Sequence, residues 1–190
     1  MMVRHHFLLL VKKGHIEIVK LLFNSNRIDI NKGENEGGQS PFHIACRNRH
    51  IEIVKILLND KRNVRINKAN NDKQTPFYLV CSKGHIEIVK LLLNDEKVDT
   101  NKGDKYRQTP FFIACENGNI DIVKLLLKEQ RVDVNKGKRG QTPFNLACQE
   151  GNIEVVELLL NNERIDINKA SNDGKTPFFL LHALWDVLKL

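Results

Sequence analysis

Cysteine and histidine are the residue types here with the widest reach in metal and nucleophilic chemistry, and their spacing argues against both. Cys46, Cys81, Cys115 and Cys148 lie 35, 34 and 33 residues apart, one copy each in an equivalent slot. Elements packed side by side sit about 10 Å apart. Zinc needs its sulfurs about 2.3 Å from one ion, and a disulfide needs Cα atoms within ~7 Å. The cysteines are therefore expected to be small buried fillers carrying free thiols. Free thiols fit a reducing compartment, so the expected location is cytoplasmic or nuclear. Among the seven histidines, His15, His50 and His85 recur before an Ile-Glu-Ile-Val run, and His43 sits three residues after Ser40. Recurrence in equivalent slots predicts structural hydrogen bonds, since a catalytic site needs different residues converging once. His5, His6 and His182 have no evident partner. There is no glycine-rich phosphate loop, metal-spaced Cys/His cluster or nucleophile motif, so no catalytic residue, metal or cofactor is assigned and no enzyme activity is expected.

Lysine offers the next chemistry. Lys32, Lys68, Lys102, Lys136 and Lys169 each follow an asparagine, and such a ladder could track phosphates or an acidic strand. Asp29, Asp99, Asp133 and Asp166 lie two residues before those asparagines, with Arg65 in the second copy, and partly cancel the field. No aromatic stacking platform is interleaved. A solvated edge copied with the repeat is the preferred reading, and nucleic acid is not the expected partner. The formal charge of +7 and pI near 9.3 would suit an acidic partner, although abundant Asn, Lys and Ile also point to a compositional origin. No apolar stretch reaches the ~20 residues that span a bilayer. Residues 1–11 have the look of a signal peptide, but their apolar run is short, lacks a small-residue cleavage site, and falls in register with an internal repeat of the chain.

That repeat supplies the elements that position these residues. Ser40-Pro41-Phe42, Thr75-Pro76-Phe77, Thr109-Pro110-Phe111, Thr142-Pro143-Phe144 and Thr176-Pro177-Phe178 place their prolines 35, 34, 33 and 34 residues apart. Eight residues after each proline stands Gly84, Gly118 or Gly151, with Arg49 in the first of these copies. Ile16, Ile51, Ile86, Ile120 and Ile153 then open an Ile-x-Ile-Val-x-Leu-Leu-Leu type run. Ser or Thr before Pro suits a helix N-cap, and glycine ends a helix in the left-handed conformation. The apolar run makes a second helix with a wide hydrophobic stripe. Clusters such as Asn70-Asn71-Asp72 and Lys138-Arg139-Gly140 make the turn that leads to the next cap.

A helix–turn–helix–finger unit of about 33 residues, carrying Thr-Pro-x-x-x-Ala-Cys, Gly-His/Asn and Val-Asp-x-Asn, resembles the ankyrin repeat over nearly the whole chain. The resemblance implies an all-α solenoid with two antiparallel helices per unit, projecting β-turn fingers, and a concave surface of fingers and first helices that binds protein partners. It divides residues 1–190, taken as one domain, into a half-repeat (about 1–30), four full repeats (about 31–66, 67–100, 101–134 and 135–167) and a terminal half-repeat (about 168–190). Polar stretches such as Asn94-Asp95-Glu96-Lys97 replace the family's usual Gly-Ala. The final helix, with Trp185 in the glycine slot, is apolar nearly all round; it has three open roles: wrapping back on the array, self-association with another chain, or the cut edge of a longer protein.

Slots that stay constant serve the fold, and slots that vary are free for a partner. The varying finger tips are Glu34-Asn35-Glu36, Asn71-Asp72, Lys105-Tyr106-Arg107 and Lys138-Arg139, and the ends of first helices vary too, at Lys83, Glu116 and Gln149. Tyr106 between two cations has the composition of an interface hot spot. Tyr78 and Phe112, in the family's histidine slot, are expected either to add apolar patches to the groove or to pack between repeats. The expected function is a protein–protein interaction scaffold. The alternatives are a basic solenoid binding nucleic acid or an anionic surface, and the targeting module of a larger enzyme.

Overall fold

The computed structural model describes residues 2–24, 28–33, 37–60 and 62–178. The terminal segment with Trp185 and His182, the tip Glu34-Asn35-Glu36, and the side chain of His5 lie outside the described residues. The chain falls into two compact units, Met1–Asp99 and Thr100–Leu190, divided where one repeat gives way to the next.

The first unit holds α1 (Met2–Lys13), α2 (Ile16–Asn24), α3 (Pro41–Arg47), α4 (Ile51–Leu58), α5 (Pro76–Lys83) and α6 (Ile86–Leu93). The second holds α7 (Pro110–Glu116), α8 (Ile120–Lys128), α9 (Pro143–Glu150) and α10 (Ile153–Leu160). Within each unit the first helices pack on one another (α1 on α3, α3 on α5, α7 on α9), and each contacts its own second helix. Among the described residues there is no strand, only an isolated bridge between Lys138 and Gln141.

The local chemistry explains these helices. Ser40, Thr75, Thr109 and Thr142 are extended caps whose hydroxyl oxygens accept the backbone N–H of His43, Tyr78, Phe112 and Asn145 at 3.4, 3.1, 3.2 and 3.1 Å. Each cap stabilises its helix by about 1 kcal/mol. The capped helices are too short to stand alone in water and rely on burying Phe42, Phe77, Phe111 and Phe144, all at most 1% exposed. All four cysteines are free and buried in the same helices. Burial pushes the thiols of Cys46, Cys81 and Cys115 far above the ordinary range and that of Cys148 up to about 11, so they are unreactive as nucleophiles.

The helix-ending slot is left-handed in every described copy: Gly14, Arg49, Gly84, Gly118 and Gly151 have φ of 73°, 60°, 75°, 62° and 66°. Arg49 therefore holds a conformation that glycine adopts without strain. Its guanidinium reaches Glu87 at 3.2 Å, a solvent-exposed pair that adds little. Arg49→Gly is expected to stabilise the first unit by up to ~1 kcal/mol, more clearly at high salt where that pair is screened. A lower urea midpoint at either salt concentration would refute this. Glu87 thus pairs with Arg49, while Glu17 and Glu52 bind the lysines three residues on, at 2.8 and 2.7 Å.

Two of the three recurring histidines, His50 and His85, make structural hydrogen bonds, while His15 is exposed. The carbonyls of Lys12 and Arg47, which close preceding first helices, accept Nε2–H from His50 and His85 at 3.1 and 3.0 Å. The asparagine slot does similar work between successive repeats. Asn67 donates Nδ2–H to the carbonyl of Lys97 at 2.6 Å and accepts the N–H of Asp99 at 2.8 Å. Asn31, Asn101 and Asn135 make the equivalent pair of bonds. Lys68 and Lys169 turn back to the carbonyls of Asn31 and Asn135, at 2.9 and 3.5 Å. These two rungs of the lysine ladder are engaged by the fold.

Candidate functional site

The fingers of the second unit carry the densest cluster of varying residues. Asp104 builds the tip that precedes α7: its Oδ1 accepts the N–H of Tyr106 at 2.9 Å and of Gln108 at 3.0 Å. This closed loop presents Lys105, Tyr106 and Arg107 to solvent, with Tyr106 itself 52% exposed. Lys105 Nζ lies 5.2 Å from the centre of the Tyr106 ring, and Lys138 Nζ, from the next finger, lies 5.5 Å from it. An exposed ring between two ammonium groups gains about 0.5–1 kcal/mol per contact, which favours one orientation of the ring.

The next finger is tighter. Arg139 and Gly140 both have positive φ, 50° and 78°, and Gln141 N–H donates to the carbonyl of Lys138 at 2.9 Å. This is the two-residue hairpin turn whose twist demands left-handed residues. Lys138, Arg139, Gln141 and Gln149 form one side of a cleft of about 180 Å³, completed by Ser171, Asp173 and Lys175.

Comparing tips slot by slot separates two kinds of tip. Two residues before each cap stand Gly38, Lys73, Arg107, Gly140 and Gly174, all with positive φ. Where the slot holds Gly38 or Gly140, the next finger brings Asn71 or Asn172 so close that a Cβ would overlap it. The slot of Asn71 and Asn172 holds Lys138 in the finger after Arg107. The junction between these two fingers thus replaces a Gly–Asn staple with two cations flanking Tyr106. Among the described residues Arg107, Lys138 and Arg139 make no ion pair with a carboxylate.

The remaining candidates divide. Lys83 is exposed at the end of α5, and Asp72 is exposed on its tip. Asn71 is committed to the fold: its N–H donates to the carbonyl of Gly37 at 3.1 Å and its side chain covers Gly38. Glu116 is exposed but accepts Gln108 Nε2–H at 3.3 Å on both oxygens, which ties it to the base of its finger. Tyr78 and Phe112 are corrected: at 3% and 0% exposure they are core residues and add no patch to a binding surface. The aromatic edge of Phe112 fills the space where a Cβ on Gly137 would sit. Sequence reasoning missed Lys175, whose part in the cleft depends on how neighbouring fingers stack.

The family model for ankyrin repeats matches the chain three times, over residues 6–70, 62–137 and 130–185. The chain belongs to the ankyrin repeat family. Ankyrin repeats are in general protein–protein interaction modules, and proteins built from them are typically non-enzymatic. Among curated proteins, none matches the chain. Among the described residues, no group of three or more His, Cys, Asp or Glu is placed to hold a metal ion, and no helix is long and apolar enough to cross a membrane.

Proposed function

We propose that this ankyrin repeat protein is a scaffold that holds a protein partner, and that the partner docks on the finger tips of the second unit. The observation that carries this is the exposed Tyr106 ring between Lys105 and Lys138, beside Arg107 and Arg139. Tyr and Arg dominate interface hot spots because each brings large contact area with directed polar groups, and truncating one costs about 2 kcal/mol or more. Glu116, in the same unit, is a lesser contributor. The four free, buried thiols favour a reducing compartment, cytoplasmic or nuclear.

A random twelve-residue peptide library displayed on phage tests the site. Peptides enriched on the wild type are expected to lose about thirtyfold in affinity on the Tyr106→Ala, Arg107→Ala double variant, with the melting temperature unchanged. Equal affinity for both proteins would remove these tips from consideration. Salt separates the nucleic-acid alternative: phosphate binding falls by orders of magnitude between about 50 and 200 mM salt, and docking centred on an aromatic ring falls much less.

A further inference from the structure

Resting on the fingertip reading, we infer that the segment held there is acidic, and that the cleft beside Tyr106 receives one of its carboxylates. The cleft has a volume of about 180 Å³ and three cationic side chains, Lys138, Arg139 and Lys175, against one acid, Asp173. Ser171 and Gln149 add a hydroxyl and an amide to its lining. The Gln149 oxygen already accepts Gln141 Nε2–H at 2.9 Å, which holds that wall in place. This donor set matches a carboxylate: cations neutralise it and neutral donors orient it. Lys138 belongs to both parts of the site, since it lines the cleft and lies over the Tyr106 ring. An occupant satisfying both sets an apolar or aromatic side chain against Tyr106 and an Asp or Glu side chain in the cleft.

The backbone supports the same charge preference. Arg107 and Arg139 occupy left-handed positions, φ 67° and 50°, that glycine would hold without strain. Gly38, Gly140 and Gly174 stand in the slot of Arg107 in three other fingers, and Lys73 in a fourth. Basic side chains are kept here against a conformational penalty and without an acidic partner among the described residues.

The probe is a fluorescein-labelled twelve-residue peptide of Glu, Gly and one Phe, compared by anisotropy with its Gln counterpart. The Glu peptide is expected to bind at least tenfold tighter. Lys175→Gln and Lys138→Gln should each weaken it about tenfold, the loss expected for one charge-assisted hydrogen bond. Lys124→Gln, which removes the same charge from α8 away from the cleft, should change it less than twofold. Equal losses in the Lys124 and Lys175 variants would mean diffuse attraction and would overturn the inference. So would failure of the Glu peptide to bind, or tighter binding of a phosphoserine version or of single-stranded DNA. If library peptides depend on Tyr106 yet carry no acid and ignore Lys175→Gln, the acidic-segment inference fails while the fingertip reading stands. If no library peptide depends on Tyr106 and Arg107, the fingertip reading itself fails.

Discussion

Acidification from pH 6.5 to pH 4 is expected to remove about 3 kcal/mol of stability from the first unit, and His43→Asn is expected to abolish most of that loss. His43 is fully buried in α3. Its Nε2–H donates to the carbonyl of Gln74 at 3.3 Å, which leaves Nδ1 to accept the Ser40 hydroxyl at 2.8 Å and the Ser40 N–H at 3.1 Å. A proton on Nδ1 would displace both bonds and strand a charge in the core. Burial, opposed by the Gln74 carbonyl and reinforced by the positive field of Lys68, lowers the pKa from 6.5 to about 4. The sign depends on which state takes the proton. Above pH 6.5 the imidazole is neutral folded and unfolded, and contributes no pH dependence. Below 6.5 the unfolded chain binds a proton that the folded chain refuses, so unfolding becomes favoured until pH 4 is reached. At about 1.4 kcal/mol per pKa unit the depression amounts to about 3 kcal/mol.

The molecule contains its own control for this experiment. Asn145 occupies the slot of His43 in a later repeat and makes the corresponding bonds without a titrating group. Its Oδ1 accepts the Thr142 hydroxyl at 2.7 Å, and its Nδ2–H donates to the carbonyl of Lys175 at 3.1 Å. His43→Asn should therefore fold at pH 7 and show a flattened urea midpoint between pH 6.5 and 5. Asp60 and Glu129 do not blur that window. Hydrogen bonds from Arg62 and Arg131, respectively, hold these carboxyls below their ordinary range, so their stabilisation is lost only as the pH falls through and below ordinary carboxylate values. A wild-type midpoint that stays flat from pH 6.5 to 5 would show that the imidazole finds room to protonate in place.

His43 also shows what the sequence makes legible. Its bond to the Gln74 carbonyl, 31 residues on, has no local signal, whereas its place three residues after a cap announces the bonds to Ser40, because capping geometry is local. The same holds for the Ser/Thr-Pro caps, the buried cysteines and the left-handed slot of Arg49. Information is lost where a residue's partner is a backbone atom about thirty residues away. The fate of Phe112 depended on whether the next finger covers it, and Gly137 of that finger lies against its ring. Asn71 varies between repeats as a contact residue would, yet it covers Gly38. That could be recognised only by noticing that Gly38–Asn71 and Gly140–Asn172 vary together, one finger apart. The candidate site was half legible: Tyr106 and its adjacent cations stand out in the chain, whereas Lys175 enters only through the stacking of fingers.

Replacing Asn101 by alanine is expected to cost the second unit about 1–2 kcal/mol. Asn101 Nδ2–H donates to the carbonyl of Arg131 at 2.7 Å, and its Oδ1 accepts the N–H of Asp133 at 2.7 Å. Both partners are backbone groups in a loop that has no strand or helix to pair them. The substitution therefore removes two hydrogen bonds at once, each contributing about 0.5–1.5 kcal/mol net where water can reach the partners. Thr100 Oγ1–H also donates to the Arg131 carbonyl, at 3.1 Å, so that acceptor keeps a partner and the cost falls mainly on the Asp133 N–H and the freed loop. This asymmetry gives a residue-level readout. In Asn101→Ala the amide of Asp133 should exchange with solvent much faster than in the wild type. The amide of Asp99, held by Asn67 in the first unit, should be unaffected. A variant with wild-type stability and an equally protected Asp133 amide would show that the asparagine slot is decoration on the repeat rather than its clamp.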